Sequence, residues 1–265
     1  MAPSGPRDLE GRRALVTGAS AGIGRAAALE LAARGCAVAA LARSTGKLEG
    51  LAADLRAAGA PEVWTLTADL EDRESLRRIV DAHLAATGPV EILVNNAGGP
   101  AGGPILEAEE ADFSRAFGRL LMAPHLLVKL LVPGMRARGY GRIINVVSTS
   151  VREPLPNLGV SNTIRGATAS WAKTLAKELP PGITINNVLP GATATERLEK
   201  LELANAERTG RTLEQVRADM VRTIPEGRVA EAKEIAALIA FLASPAAAYL
   251  RGQSIAADGG RLNAI

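Results

Sequence analysis

The stretch Thr17–Gly24, TGASAGIG, decides how the rest of the chain is read. It follows the short apolar run RRALV and opens the alanine-rich stretch GIGRAAALELAARG, so it joins a strand-like segment to a helix-like one. Glycines in such a turn permit positive φ and close backbone approach, and the helix start offers free N–H groups to an anion. The spacing is G-x-x-x-G-x-G, not the G-x-G-x-x-G of the general fingerprint. A tight strand-to-helix connection uses the same residues. Their place straight after the first strand favours a phosphate-binding turn.

Working outward, strand-like and helix-like segments alternate. CAVAALA is a second strand, KLEGLAADLRAAG a helix stopped by Gly59, and EVWTLTADL a third strand. ESLRRIVDAHLAATG, EILVNNAGG and GRIINVVS continue the alternation, with residues 110–138 mainly helical and irregular near Pro124 and Pro133. A helix opening at 159–161 stops at Pro180-Pro181, before the strand ITINNVLPG. Residues 193–227 are polar and weakly periodic, which suits a mobile substrate flap. EAKEIAALIAFLAS and QSIAADGG supply a last helix and strand. The pattern predicts right-handed βαβ units in an α/β, doubly wound parallel sheet of about seven strands, a three-layer αβα arrangement. One domain spans 1–265, with 1–10 as a loose tail.

Composition narrows the functional classes. The net charge is +3, but no Lys/Arg block or basic–aromatic interleaving marks a nucleic-acid partner. Cys36 is the only cysteine, which excludes an internal disulfide and a thiolate metal cluster and predicts a buried strand residue. His83 and His125 stand alone, so no metal site is expected. No apolar run approaches the roughly 20 residues of a membrane span, and the N-terminus MAPSGPRDLEG lacks an apolar leader. A cytoplasmic protein without a membrane or nucleic-acid partner is the expectation.

Four motifs in order then carry a resemblance. TGASAGIG, Asn95-Asn96-Ala97-Gly98, Pro190-Gly191 and the Gly252-Gln253 to Asp258-Gly259-Gly260 ending resemble those of the short-chain dehydrogenase/reductase family. The resemblance covers nearly the whole chain and implies a Rossmann-type fold with a bound dinucleotide. It implies that Gly18, Ser20, Ala21, Ile23 and Gly24 face the cofactor phosphates. Asp69 and Leu70 would bracket the adenine, and Asn95, Ala97 and Gly98 the adenosine-side ribose. Pro190, Gly191 and Thr193 would close over the nicotinamide. Alanine stands at the usual acidic position in Leu41-Ala42-Arg43-Ser44, and Arg43 with Ser44 can pair with a 2′-phosphate. NADP(H) is therefore preferred over NAD(H), although Arg43 also reads as a solvated helix start.

The family's catalytic serine, tyrosine, lysine and asparagine are mostly absent. Ser148 matches the serine, but the other positions fall on Ser161, Arg165 and Leu120. An aliphatic hydroxyl is a far weaker acid than a phenol, and a guanidinium does not pass a proton along. Arg165 can still hold ribose hydroxyls or an anionic group. Glu153, in the loop VREPLPN, is a candidate acid or base, or else a surface residue paired with Arg152. The expected activity is hydride transfer between NADP(H) and a small or medium carbonyl or alcohol substrate. Non-redox catalysis by elimination, isomerisation or cyclisation, or a cofactor-binding sensor, is the alternative. The resemblance also implies a homo-tetramer or dimer using helices 110–138 and 159–179.

Overall fold

The computed structural model describes residues 7–264. Valine, leucine and alanine runs form strands that are buried on both faces, as a covered parallel sheet requires. The first half alternates β1 (Arg13–Thr17), α1 (Gly22–Ala33), β2 (Ala37–Ala42), α2 (Thr45–Ala58), β3 (Val63–Thr67), α3 (Arg73–Thr87) and β4 (Ile92–Asn95). The second half begins with α4 (Glu110–Phe117), α5 (Ala123–Ala137), β5 (Gly141–Val146), α6 (Gly159–Glu178) and β6 (Ile183–Pro190). Then come β7 (Thr193–Ala194), α7 (Glu196–Thr209), α8 (Leu213–Arg222), β8 (Ala230–Glu231), α9 (Ala232–Ala243) and β9 (Ser254–Ala257).

Among the described residues the main sheet has seven strands, in the order β3-β2-β1-β4-β5-β6-β9, and every pairing is parallel. Apolar residues of α1, α2 and α9 cover one face. Those of α3, α5 and α6 cover the other. Strand order reverses between β1 and β4, so a crevice opens beyond their carboxyl ends at Thr17 and Asn95. This is the expected Rossmann-type three-layer fold.

Several expectations need correction. The loose tail 1–10 does not extend to Leu9, which is fully buried and donates its N–H to Arg34 O at 3.2 Å; residues 1–6 lie outside the described residues. The segment 193–227 is largely helical, with Thr195 and Thr212 capping α7 and α8. Its apolar period is weak because the inward residue of α7 is Glu202, 6% exposed and paired with Arg217 of α8 at 2.8 Å. A helix that buries an ion pair has no full apolar stripe to read.

The irregularity in the long helical stretch is a π-turn at Gly118–Met122. Pro124, in the first turn of α5, lacks the N–H that would bond Leu120 C=O in a regular helix. Thr168 Oγ1 donates to that carbonyl instead, at 3.1 Å. The path Glu110–Ala137 is, by length and a mean hydropathy of 1.3 in its best window, apolar enough to span a membrane, contrary to the expectation. Here it is a core element, with Ala123, Leu127, Leu131 and Met135 buried against the sheet.

Candidate dinucleotide site

At the crevice the glycine turn is held shut by Asn96. Thr17 Oγ1 donates to Asn96 O at 2.8 Å and accepts from Asn96 N at 2.9 Å. A Cβ on Gly18, whose φ is 59°, would lie 2.6 Å from Asn96 O. One on Gly24 would lie 2.2 Å from Gly18 O. Neither position tolerates a side chain. Helix α1 starts at Gly22 after an Ala21 N-cap that has no side chain to cap it, and no acidic residue stands in its first turn, so its leading N–H groups are free for an anion. Ser20, Ala21 and Ile23 are only partly buried around this turn. The cradle therefore fits a phosphate. Across it stands Thr195, whose Cγ2 is 3.2 Å from where a Gly22 Cβ would be.

Asn96, named in the NNAG motif but given no role there, braces the turn, its Nδ2 donating to Thr17 O and Gly18 O at 3.3 Å. Its neighbour Asn95, expected to hold a ribose, is 5% exposed and turned into the sheet. Asn95 Nδ2 donates to Asn145 Oδ1 and Asn145 Nδ2 to Asn187 Oδ1, both at 2.9 Å. Ala97 and Gly98 form the loop that faces the groove, and Gly98 is exposed. Leu70 likewise packs into the core, while Asp69 stays at the surface.

At the end of β2, Ala42 leaves no acid beside the crevice. Arg43 is 74% exposed, with Nη1 3.8 Å from Asp69 Oδ2. Ser44 caps α2, its oxygen accepting from Lys47 N at 3.5 Å. On the other side, Gly191 N donates to Ala257 O at 2.9 Å, and a Cβ on Gly191 would lie 2.8 Å from Asp258 Cα. Pro190-Gly191 and the C-terminal Asp258-Gly259 turn are thus packed as one unit. Thr193 Oγ1 donates to Gly191 O at 3.1 Å.

The positions expected to match the family's catalytic residues gather around the end of β5. Ser148 Oγ accepts from Ser150 N at 3.1 Å, which leaves its hydroxyl proton free to donate. Ser161, 7% exposed, accepts from Arg165 Nε at 3.2 Å. Arg165 Nη1 donates to the carbonyls of Val146 and Val147 at 3.0 and 2.5 Å. Burial, and then the charges of Arg197 and Arg119, push the Arg165 pKa down to about 10, so it remains a cation at neutral pH. Arg165 borders a cavity of about 20 Å³ shared with Asn95, Arg119, Leu120 and Thr168. Leu120 sits in a small apolar cluster with Ala116, Val160 and Ile164.

The remaining acid–base side chains considered for the site lie elsewhere. The Glu153 carboxylate faces the C-terminal segment, 3.4 Å from Asn263 N and from Asn263 Nδ2. Tyr140 OH donates to Ala243 O at 2.6 Å, before β5, and Tyr249 is fully exposed. His125 accepts from Trp171 Nε1 at 3.3 Å between α5 and α6.

A doubly wound parallel sheet with a phosphate cradle at its switch point defines a dinucleotide-binding α/β protein. Residues 12–206 match the family described as short chain dehydrogenase. The chain is 35% identical over 253 residues to 2,3-dihydroxy-2,3-dihydro-p-cumate dehydrogenase of Pseudomonas putida, covering 95% of each chain. It is 32% identical to the NADPH-dependent reductase BacG of Bacillus subtilis, covering 96% of this chain and 99% of that one. L-sorbose reductase from Gluconobacter frateurii, solved with NADPH and L-sorbose, superposes with a TM-score of 0.92 at 30% identity, covering 98% and 100% of the two chains. This protein belongs to the short-chain dehydrogenase/reductase family of oxidoreductases.

Proposed function

We propose that the protein is an NADP(H)-dependent oxidoreductase acting on a small or medium carbonyl or alcohol, without the usual tyrosine and lysine. The observation that carries this reading is the cradle of Gly18, Gly24 and the uncapped α1 against Asn96. Bound there, NADP(H) would supply or accept the hydride. Arg43, exposed beside Ala42, would hold the 2′-phosphate, with the free Ser44 hydroxyl proton beside it. The NADPH-dependent relatives support that preference.

In this reading Ser148 donates its free hydroxyl proton as a hydrogen bond to the substrate oxygen. Arg165 holds positive charge beside it and favours the oxygen as negative charge develops there. No phenol of the described residues reaches the site, so the proton comes from water. That same lack of a strong acid is what favours the second reading, non-redox chemistry on a bound cofactor. A homo-tetramer or dimer built on the 110–138 and 159–179 helices in the cytoplasm belongs to the proposal, and the 43% exposure of Phe117 supports it.

Fluorescence titration with NADPH and NADH, followed by NADPH oxidation across a carbonyl panel, tests this. NADPH is expected to bind at least about tenfold tighter than NADH. Arg43→Ala is expected to erase that margin. Tight NADPH binding with no oxidation on any carbonyl would move the reading to non-redox chemistry, and no dinucleotide binding would overturn it.

A further inference from the structure

Gly99 lies between two guanidinium groups. A Cβ there would be 3.4 Å from Arg197 Nη2 and 3.5 Å from Arg165 Nη2. Arg165 spends Nε on Ser161 and Nη1 on two carbonyls, and its Nη2 has no hydrogen-bond partner among the described residues. Arg197 reaches over from α7 and donates through Nη2 to Pro100 O. Arg119 borders the same cavity as Arg165; its Nη1 donates to Glu71 at 3.1 Å, while its buried Nε has no partner. Among the described residues, neither Arg165 nor Arg197 forms an ion pair.

Two partly buried cations with no counter-ion are costly to hold side by side. Burial first, then the charges of Arg197 and Arg119, lowers the pKa of Arg165; burial, then the charge of Arg119, lowers that of Arg197. An anion placed at Gly99 would relieve both. In the proposed function the cofactor phosphates take the turn Thr17–Gly24 and Arg43, on the β1 and β2 side of the crevice. Arg165 instead contacts the end of β5, immediately before Ser148. Two forked guanidinium groups suit the planar, bidentate geometry of a carboxylate.

We propose that Arg165 and Arg197 bind a carboxylate of the substrate over Gly99, so that the substrate is an oxo or hydroxy carboxylic acid whose reacting carbon faces Ser148. This rests on the oxidoreductase reading for the reacting carbon, but not for the anion. It also gives α7 a role: the helix that carries Arg197 is fixed over the site when the acid is present.

Calorimetric titration of the NADP+-loaded protein, in which an oxo acid cannot be reduced, with aliphatic and aromatic oxo acids, each paired with its methyl ester, tests the proposal. At least one acid is expected to bind about tenfold or more tightly than its ester. Arg197→Gln, and separately Gly99→Val, which fills the gap without removing charge, are expected to abolish the difference. Both variants should keep their circular dichroism and their NADPH affinity. No acid–ester preference anywhere in the panel, or a preference that survives both variants, would overturn the assignment. So would a loss of NADPH affinity matching the loss of acid binding, since the arginines would then serve the cofactor. The same titration without dinucleotide separates the two readings. A protein that ignores NADPH yet prefers acids keeps the carboxylate site and loses the oxidoreductase reading.

Discussion

Arg165 donates from Nε to Ser161 Oγ, one turn back on α6, while its Nη1 caps the carbonyls of Val146 and Val147. The short serine leaves the room into which the guanidinium folds. One fork thus ties the start of α6 to the end of β5 beneath the site. Lysine keeps the charge but brings a single ammonium that cannot satisfy three separated acceptors. Arg165→Lys is therefore expected to destabilise the fold by about 1–3 kcal/mol, the cost of leaving a buried acceptor unpaired. Calorimetry would read this as a midpoint lowered by roughly 2–10 °C. An unchanged midpoint would show that the tie contributes nothing.

Glycines in this chain divide by what surrounds them. A Cβ on Gly24 would meet Gly18 O at 2.2 Å and Asn96 Nδ2 at 2.5 Å, both fixed parts of the phosphate turn. Gly24→Ala should cost NADPH affinity at least about tenfold, measured by fluorescence, because the turn must open to admit the methyl group. Gly50, inside α2, has open space where its Cβ would be. There alanine removes backbone entropy from the unfolded chain, and Gly50→Ala is expected to stabilise by about 0.5–1 kcal/mol. Urea unfolding of the two variants should move in opposite directions.

The main sheet and the cofactor turn were legible because both are written locally. A strand buried on both faces is a run of apolar residues, and a phosphate turn is a run of glycines at a helix start. What stayed hidden depends on contacts between distant segments. Nothing in NNAG tells the buried Asn95 from the loop-bracing Asn96; the register of β4 against β5 decides it. The polar segment 193–227 hid two helices because Glu202 and Arg217 meet only after both have folded. Arg197 was invisible for the same reason. Its partner is Pro100 O, 97 residues away in the chain.

Cys36 was expected to be a buried strand residue, and it lies fully buried just before β2, with Sγ donating to Arg12 O at 3.2 Å. Burial, reinforced by the nearby Glu91 charge, raises its thiol pKa far above the ordinary range. Thiolate is the reactive form, so the native protein should resist both disulfide reagents and alkylation at neutral pH. Mass spectrometry should find one modified cysteine only after denaturation. Rapid labelling of the folded chain would contradict this placement.

His83 links the fold to pH. It is buried on α3, edge-on to Trp64 with ring centroids 5.2 Å apart, and Thr87 Oγ1 is 3.5 Å from Nε2. Burial first, then the Arg13 charge, lowers its pKa below the ordinary 6.5. The unfolded chain therefore binds this proton more readily than the folded one. Stability is full above the unfolded pKa and falls as pH drops through about 6.5 toward the lower folded value. Urea unfolding at about pH 7.5 and about pH 5 should show that loss, on top of any contribution from carboxylates. His83→Gln keeps a polar side chain of similar reach without titrating, so the difference between the two proteins isolates the histidine. The variant is expected to lose less stability on acidification than the parent. Equal losses would mean that His83 does not titrate between those two pH values.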